Sequence, residues 1–256
     1  MKNTEFEISL AGGGLQGFAH IGALKALEEL EVKIKYISGT STGSAIASDT
    51  GDEYAAAELR EEIKQICKEK YKKILKIRKK VLCQMAINFL LHKETRVEGI
   101  IDGKLVENFI NEVAREKEKN IITDFNERQL AIATVDTILM KECIFISNEI
   151  KNKNENINYI TDINIGKAVR SSMAFPAIFT TSNYKEYNFI DGGTADNLPV
   201  QVLKDMGATK TIAISFDLNK YSPSKSLEGV LIRALDIFSN PSVQKSRDLS
   251  DISIEI

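Results

Sequence analysis

Apolar and polar positions alternate from Glu5 to Leu10, with Phe6, Ile8 and Leu10 on one side, and this period of two predicts a first β-strand. The period then lengthens. Over residues 18–30, Ile21, Leu24 and Leu27 recur at helical spacing, with Ala23 and Leu30 close to the same face. Residues 35–38 predict a short strand and residues 44–48 a helix. From 54 to 91 the pattern is helical and heavily charged, and 105–118 is a further amphipathic helix. Strands are predicted at 129–134 and 142–147, with a polar turn over 148–158. A helix over 161–172 ends before Phe175-Pro176, a short strand follows at 187–190, and a helix at 198–206. Residues 209–216 are apolar and β-branched, the pattern of a strand buried on both faces. A helix over 227–239 and a last strand over 251–256 complete the series. Strands alternating with helices predict an α/β fold: a three-layer α/β/α sandwich around a mostly parallel sheet. Neither a linker nor an internal repeat divides residues 1–256, so one domain is expected.

Composition narrows the class. The chain has 256 residues, 43% hydrophobic and 27% charged, which suits a soluble globular protein with a sizeable core. A net charge of −2 makes no global case for nucleic-acid binding. Cys67, Cys83 and Cys143 are odd in number, far apart and without a C-x-x-C pair. They predict neither a disulfide framework nor a zinc site, and a reducing cytoplasm is the expected home. Residues 1–7 have no signal-peptide apolar region, and the apolar runs are too short to span a bilayer. Any membrane contact is therefore expected to be peripheral.

One segment bears on that contact. Lys64, Lys68, Lys70, Lys72, Lys73, Lys76, Arg78, Lys79 and Lys80 stand against Glu69 alone, and apolar residues recur among them at near-helical spacing. A basic amphipathic helix over 63–91 has two readings. It is a core-facing helix with a solvated lysine face, or a peripheral dock on an anionic inner-membrane surface.

Candidate chemistry lies in two glycine-rich turns. Gly39-Thr40-Ser41-Thr42-Gly43 sits between a predicted strand and a predicted helix, the context of a nucleophile elbow, and makes Ser41 the candidate nucleophile. The plain alternative is a turn without chemistry. Gly12-Gly13-Gly14-Leu15-Gln16-Gly17 contains G-x-G-x-x-G after a strand and before a helix, the dinucleotide-binding fingerprint. That fingerprint requires an acidic residue at the end of the second strand. Here the strand ends Ile37-Ser38-Gly39, and the nearest acid, Glu31, precedes it. A dinucleotide cofactor is therefore disfavoured. The same loop serves an oxyanion hole, because successive glycines let backbone N–H groups point into one cavity. A tight packing turn is the bland alternative.

The base is harder to place. A Ser, acid, His order requires a late histidine, and the chain has only His20 and His92. Asp191, in Ile190-Asp191-Gly192-Gly193, is the better candidate, because a partly buried carboxylate within reach of the serine can take its proton. Asp196 competes, although Asp196-Asn197 reads more naturally as the cap of the helix that starts near Leu198.

Four blocks in order resemble the patatin-like phospholipase family: the 12–17 glycine loop with Ala19-His20-Ile21-Gly22, the 39–43 elbow, Ala168-Val169-Arg170-Ser171-Ser172 with Phe175-Pro176, and Asp191-Gly192-Gly193 with Asn197-Leu198-Pro199-Val200. The resemblance implies an acyl hydrolase of lipid or phospholipid esters that needs neither cofactor nor metal. It maps Ser41 onto the nucleophile and Asp191 onto the base. It maps Gly12, Gly13, Gly14, Leu15, Gln16 and Gly17 onto the oxyanion loop, with Gly39 and Gly43 flanking the elbow. Two positions depart from the family pattern: Gln16 replaces a usual Arg or Lys, and Ser44 a usual Ala. Family members often continue past a strand like 251–256, so a C-terminal extension is expected to be missing. A catalytically idle lipid-binding or interaction protein on the same fold is the alternative function.

Overall fold

The structure is a computed structural model that describes residues 5–50, 61, 79–91, 98–150, 153–217 and 227–256. The elements run β1 (Glu5–Leu10), α1 (His20–Glu29), β2 (Lys33–Thr40), α2 (Thr42–Asp49), α3 (Lys79–Leu90), β3 (Gly99–Ile101), α4 (Lys104–Glu116), β4 (Gln129–Asp136) and β5 (Lys141–Ile146). They continue with β6 (Asn158–Ile160), α5 (Ile165–Ser172), β7 (Ala177–Phe179), β8 (Ser182–Tyr184), β9 (Tyr187–Asp191), α6 (Val200–Asp205), β10 (Thr211–Ser215), α7 (Leu227–Leu249) and β11 (Ile252–Glu255).

The main sheet has the order β11-β10-β1-β2-β4-β5-β6, with β9 pairing the far end of β4 and β8 pairing β9. The run from β11 to β4 is parallel. β5 and β9 lie antiparallel to β4. The sheet is therefore mixed and mostly parallel, with helices against it.

Side-chain alternation along each strand builds two separate cores. Leu130 and Ile132 face one side with Ile21, Leu24 and Leu27 of α1, Ile46 of α2 and Val169 of α5. Ala131 and Ala133 face the other, with Val202 of α6. Likewise Ile212 and Ile214 point to the first side, while Ala213 meets Leu198, Val200 and Val243 of α7 on the second. A strand whose two faces are both covered reads as a continuous apolar run, and β10 is buried at every position.

Several elements differ from expectation. Residues 14–19 form a 3-10 turn, and α1 begins only at His20. The helix expected over 161–172 starts at Ile165, because Asn164 is bridged to Ile121 in extended form. The helix expected to stop at 239 runs through Pro241 to Leu249. A proline is a strong stop signal in sequence, yet it removes only one N–H donor from a helix whose packing persists. Of the basic segment, α3 is described as helical; Lys64 to Arg78 and His92 lie outside the described residues.

Parallel strands bring their carboxyl ends to one edge of the sheet. Leu10 pairs with Gly39, Thr40 with Ala133, and Thr134 with Asp191. The glycine loop, Ser41 and Asp191 thus leave adjacent strand ends, where open α/β sheets gather functional groups.

Candidate active site

Ser41 leaves β2 and stands at the N-cap of α2 with φ 52° and ψ −121°. Positive φ is costly for a residue with a Cβ, and its persistence means the surroundings enforce it. Two close approaches do so. A Cβ on Gly39 would lie 2.5 Å from the Gly43 carbonyl, and one on Gly43 would overlap the Leu10 carbonyl. Only glycines let α2 turn this sharply over β1 and β2. The Ser41 N–H donates to Ser172 Oγ at 2.8 Å, and Ser172 Oγ donates to the Ala133 carbonyl at 2.6 Å. Ser44 uses its hydroxyl on the Ser41 carbonyl at 2.6 Å, which gives the departure from alanine a local role.

The glycine loop is clamped against this elbow. A Cβ on Gly12 would sit 3.0 Å from Ser41 Cβ and 2.5 Å from Asn197 Oδ1. Gly12 N–H donates to the Asn197 carbonyl, and Asn197 Nδ2 donates back to the Gly12 carbonyl, both at 3.1 Å. Thr42 Oγ1 donates to the Gly14 carbonyl at 2.8 Å, and Gln16 N–H to the Gly13 carbonyl at 3.1 Å. The N–H groups of Gly12 and Gln16 are thus engaged within the protein. Those of Gly13 and Gly14 have no hydrogen-bond partner among the described residues.

Asp191 ends β9. Its Oδ1 accepts the Gly193 N–H at 2.8 Å, while Oδ2 is buried without a hydrogen-bond partner among the described residues. Burial pushes the carboxyl up to about 6; the Gly193 N–H and the Ser41 hydroxyl offset part of that rise. A serine hydroxyl and a carboxylate not yet joined by a hydrogen bond suit a proton-transfer pair that tightens when substrate binds.

Asp196 is not the helix cap that the sequence suggests. α6 begins at Val200 with Pro199 at its N-cap and no side-chain cap. Asp196 Oδ1 instead accepts the Leu198 N–H at 3.1 Å, and its carbonyl accepts the Thr40 hydroxyl at 2.8 Å. Asn197, the other half of that expected cap, turns its amide to the glycine loop. Burial also pushes Asp196 up to about 6, with Lys245 opposing.

His20 is buried where α1 starts. Its Nε2 donates to the Ala11 carbonyl at 2.8 Å, a tautomer assigned from that acceptor, and its ring lies 4.8 Å from that of Phe216. Burial pushes the imidazole down to about 4. It is neutral and holds the strand end that leads into the glycine loop. Ser172 and Asn197 are the site residues that periodicity misses. Both stand inside the motif blocks, but their partners are 131 and 185 residues away.

Among the described residues, no group of three or more His, Cys, Asp or Glu is arranged to hold a metal ion, and no helix is long and apolar enough to cross a membrane.

Comparison with known proteins places the chain in a family. Residues 8–204 match the family model described as patatin-like phospholipase. The chain is 28% identical over 219 residues to Uncharacterized protein R571 of Acanthamoeba polyphaga mimivirus, covering 82% of this chain and 64% of that protein. It is 27% identical over 234 residues to patatin-like phospholipase domain-containing protein 6 of Mus musculus, covering 88% of this chain and 15% of that one. The chain thus spans less than two thirds of the length of either relative. VipD from Legionella pneumophila is similar in structure, with a TM-score of 0.46 and 13% identity over 87% of this chain and 51% of its own. With the family model matching most of its length, the chain belongs to the patatin-like phospholipase family.

Proposed function

We propose that the chain is a serine acyl hydrolase acting on lipid or phospholipid esters through a dyad of Ser41 and Asp191. One observation carries the reading: a serine held at φ 52° against a glycine loop, at a strand end beside a buried carboxylate with one oxygen unpartnered. Asp191 accepts the hydroxyl proton as Ser41 Oγ attacks the ester carbonyl. A carboxyl at about 6 is charged at neutral pH and more basic than an ordinary aspartate, which suits a general base. The N–H groups of Gly13 and Gly14 are donors available to hold the developing oxyanion, a contribution of about 3–4 kcal/mol for such a donor. Protonated Asp191 returns its proton to the departing alkoxide, leaving an acyl-serine. Water, deprotonated by Asp191, then attacks the acyl carbonyl and frees the acid and Ser41.

The second strand end carries Ser41 where a dinucleotide site needs an acid, which further disfavours that reading. The test is labelling by a fluorophosphonate serine probe with parallel ester assays. Wild type is expected to label and to hydrolyse; Ser41→Ala is expected to do neither while keeping its fold. An unlabelled, inactive wild type would return the chain to a catalytically idle lipid-binding protein.

A further inference from the structure

Ile138, Leu139 and Met140 form the turn between β4 and β5, and they are 63%, 51% and 87% exposed. Three consecutive large apolar side chains at a hairpin tip make a poor aqueous turn. Met140 aggravates this with φ 52°, a conformation that turns usually give to Gly or Asn. A locally unfavourable choice with no folding gain is a sign of function.

Three backbone N–H groups at the base of the tip are internally satisfied. Thr137 N–H donates to the Asn188 carbonyl at 2.9 Å. Ile138 and Leu139 N–H donate to the two carboxylate oxygens of Asp136 at 3.3 and 3.0 Å. Asp136 is itself fully buried and also accepts the Asn188 N–H. Leaving water costs most when backbone N–H groups lose their partners, and these three keep theirs. That feature favours a hydrocarbon environment over a merely exposed loop.

Position ties the tip to the catalytic edge. Asp191 pairs with Thr134, and the tip begins two residues past the end of β4, so it stands beyond Asp191 on the same edge. Leu15, 65% exposed, sits in the glycine loop. β2 lies between β1 and β4, so Leu15 and the 138–140 tip flank Ser41 on opposite sides. Lys141, exposed at the base of the tip, is placed to meet an anionic headgroup.

We propose that the 138–140 tip, with Leu15, inserts into the surface of a lipid bilayer or micelle and seats the Ser41 edge on it. The choice of lipid over a protein partner rests on these satisfied N–H groups and on the hydrolase reading above.

The chain contains no tryptophan, so Leu139→Trp introduces a single reporter. With vesicles of phosphatidylcholine and phosphatidylglycerol, its emission is expected to shift to the blue and to be quenched by lipids brominated in the acyl chain. The triple variant Ile138→Ser, Leu139→Ser, Met140→Asn is expected to bind the vesicles at least about tenfold more weakly. Its hydrolysis of a soluble short-chain ester should match wild type. An unshifted, unquenched reporter overturns the proposal, as does a wild-type dimer in sedimentation that the triple variant abolishes with vesicle binding unchanged. The two readings fail separately. A blue shift in a protein without esterase activity keeps the docking and removes the hydrolase. Esterase activity without a shift does the reverse.

Discussion

The hydroxyl of Ser172 accepts the Ser41 N–H and donates to the Ala133 carbonyl, so the backbone of Ser41 hangs from strand β4 through one buried side chain. The same carbonyl meets the residue that follows Asp191, because a Cβ on Gly192 would overlap it. Ala133 is therefore a common reference point for the elbow and for the loop after Asp191. Ser172 is a positioning residue. Ser172→Ala is expected to leave the part-buried Ser41 N–H unpaired, at about 1–3 kcal/mol of stability. It should also lower kcat at unchanged KM, because the elbow loses its tether while substrate binding is untouched. Thermal unfolding beside steady-state kinetics on a soluble ester decides. Lost stability at full kcat would make Ser172 only a packing residue.

Asp191→Asn separates chemistry from stability. The amide still accepts the Gly193 N–H but takes no proton from Ser41, so kcat should fall by several orders of magnitude. The folded protein holds the Asp191 proton more tightly than the unfolded chain, about 6 against 3.8. Its favourable contribution is complete below pH 3.8 and is lost as pH rises through about 6. The charged form is thus penalised by on the order of 3 kcal/mol at neutral pH. The variant should therefore melt higher than wild type at pH 7 to 8, and the gap should close near pH 4. The acid limb of wild-type kcat/KM should fall near pH 6 and persist in Asp196→Asn. Loss of that limb in Asp196→Asn would move the base there.

How legible the fold was depended on the length of each element. Strands of five to eight residues with two separately buried faces show a period of two or an unbroken apolar run, and β1, β2, β4 and β10 are readable so. β3, β6, β7 and β8 have three residues each, too few for any period. Ser41 and Asp191 stand out in the sequence because glycines bracket the first and follow the second at strand ends, a local signal. The work of Ser172 and Asn197 does not, since hydrogen bonds across more than a hundred residues leave no trace in spacing. Asn197 misleads in particular, because an Asp-Asn pair before a helix mimics a cap until Pro199 takes that place.

His20→Phe tests whether the buried imidazole is structural. The substitution keeps the contact with Phe216 but leaves the Ala11 carbonyl unpaired, and a loss of about 1–3 kcal/mol is expected. The imidazole is held neutral in the fold, at about 4 against 6.5 unfolded. Its contribution is present above pH 6.5 and is lost as pH falls through about 4. Wild type should therefore lose stability over that window more steeply than the variant. Turnover of a soluble ester should persist with its acid limb in place. Loss of the limb would make His20 a base after all.

Gly14→Ala addresses the oxyanion loop without a clash. A Cβ there has nothing within 4 Å, whereas one on Gly13 would drive into the Phe216 ring. The burden at Gly14 is conformational only: φ is 55°, which disfavours alanine by roughly 1–2 kcal/mol. The loop can relieve that strain by rotating the peptide that carries the Gly14 N–H, and rotation takes the donor off the oxyanion position. Such a donor acts chiefly in the transition state, so kcat should fall while KM stays close to wild type. A drop of about a hundredfold matches the loss of one oxyanion donor. Rapid labelling kinetics with a fluorophosphonate read the same step, since the phosphoryl oxygen occupies the oxyanion position. Slowed labelling with intact thermal stability is the expected pair. Reduced stability with undiminished labelling would leave the glycine cluster as a packing turn and move the oxyanion donors elsewhere along the elbow.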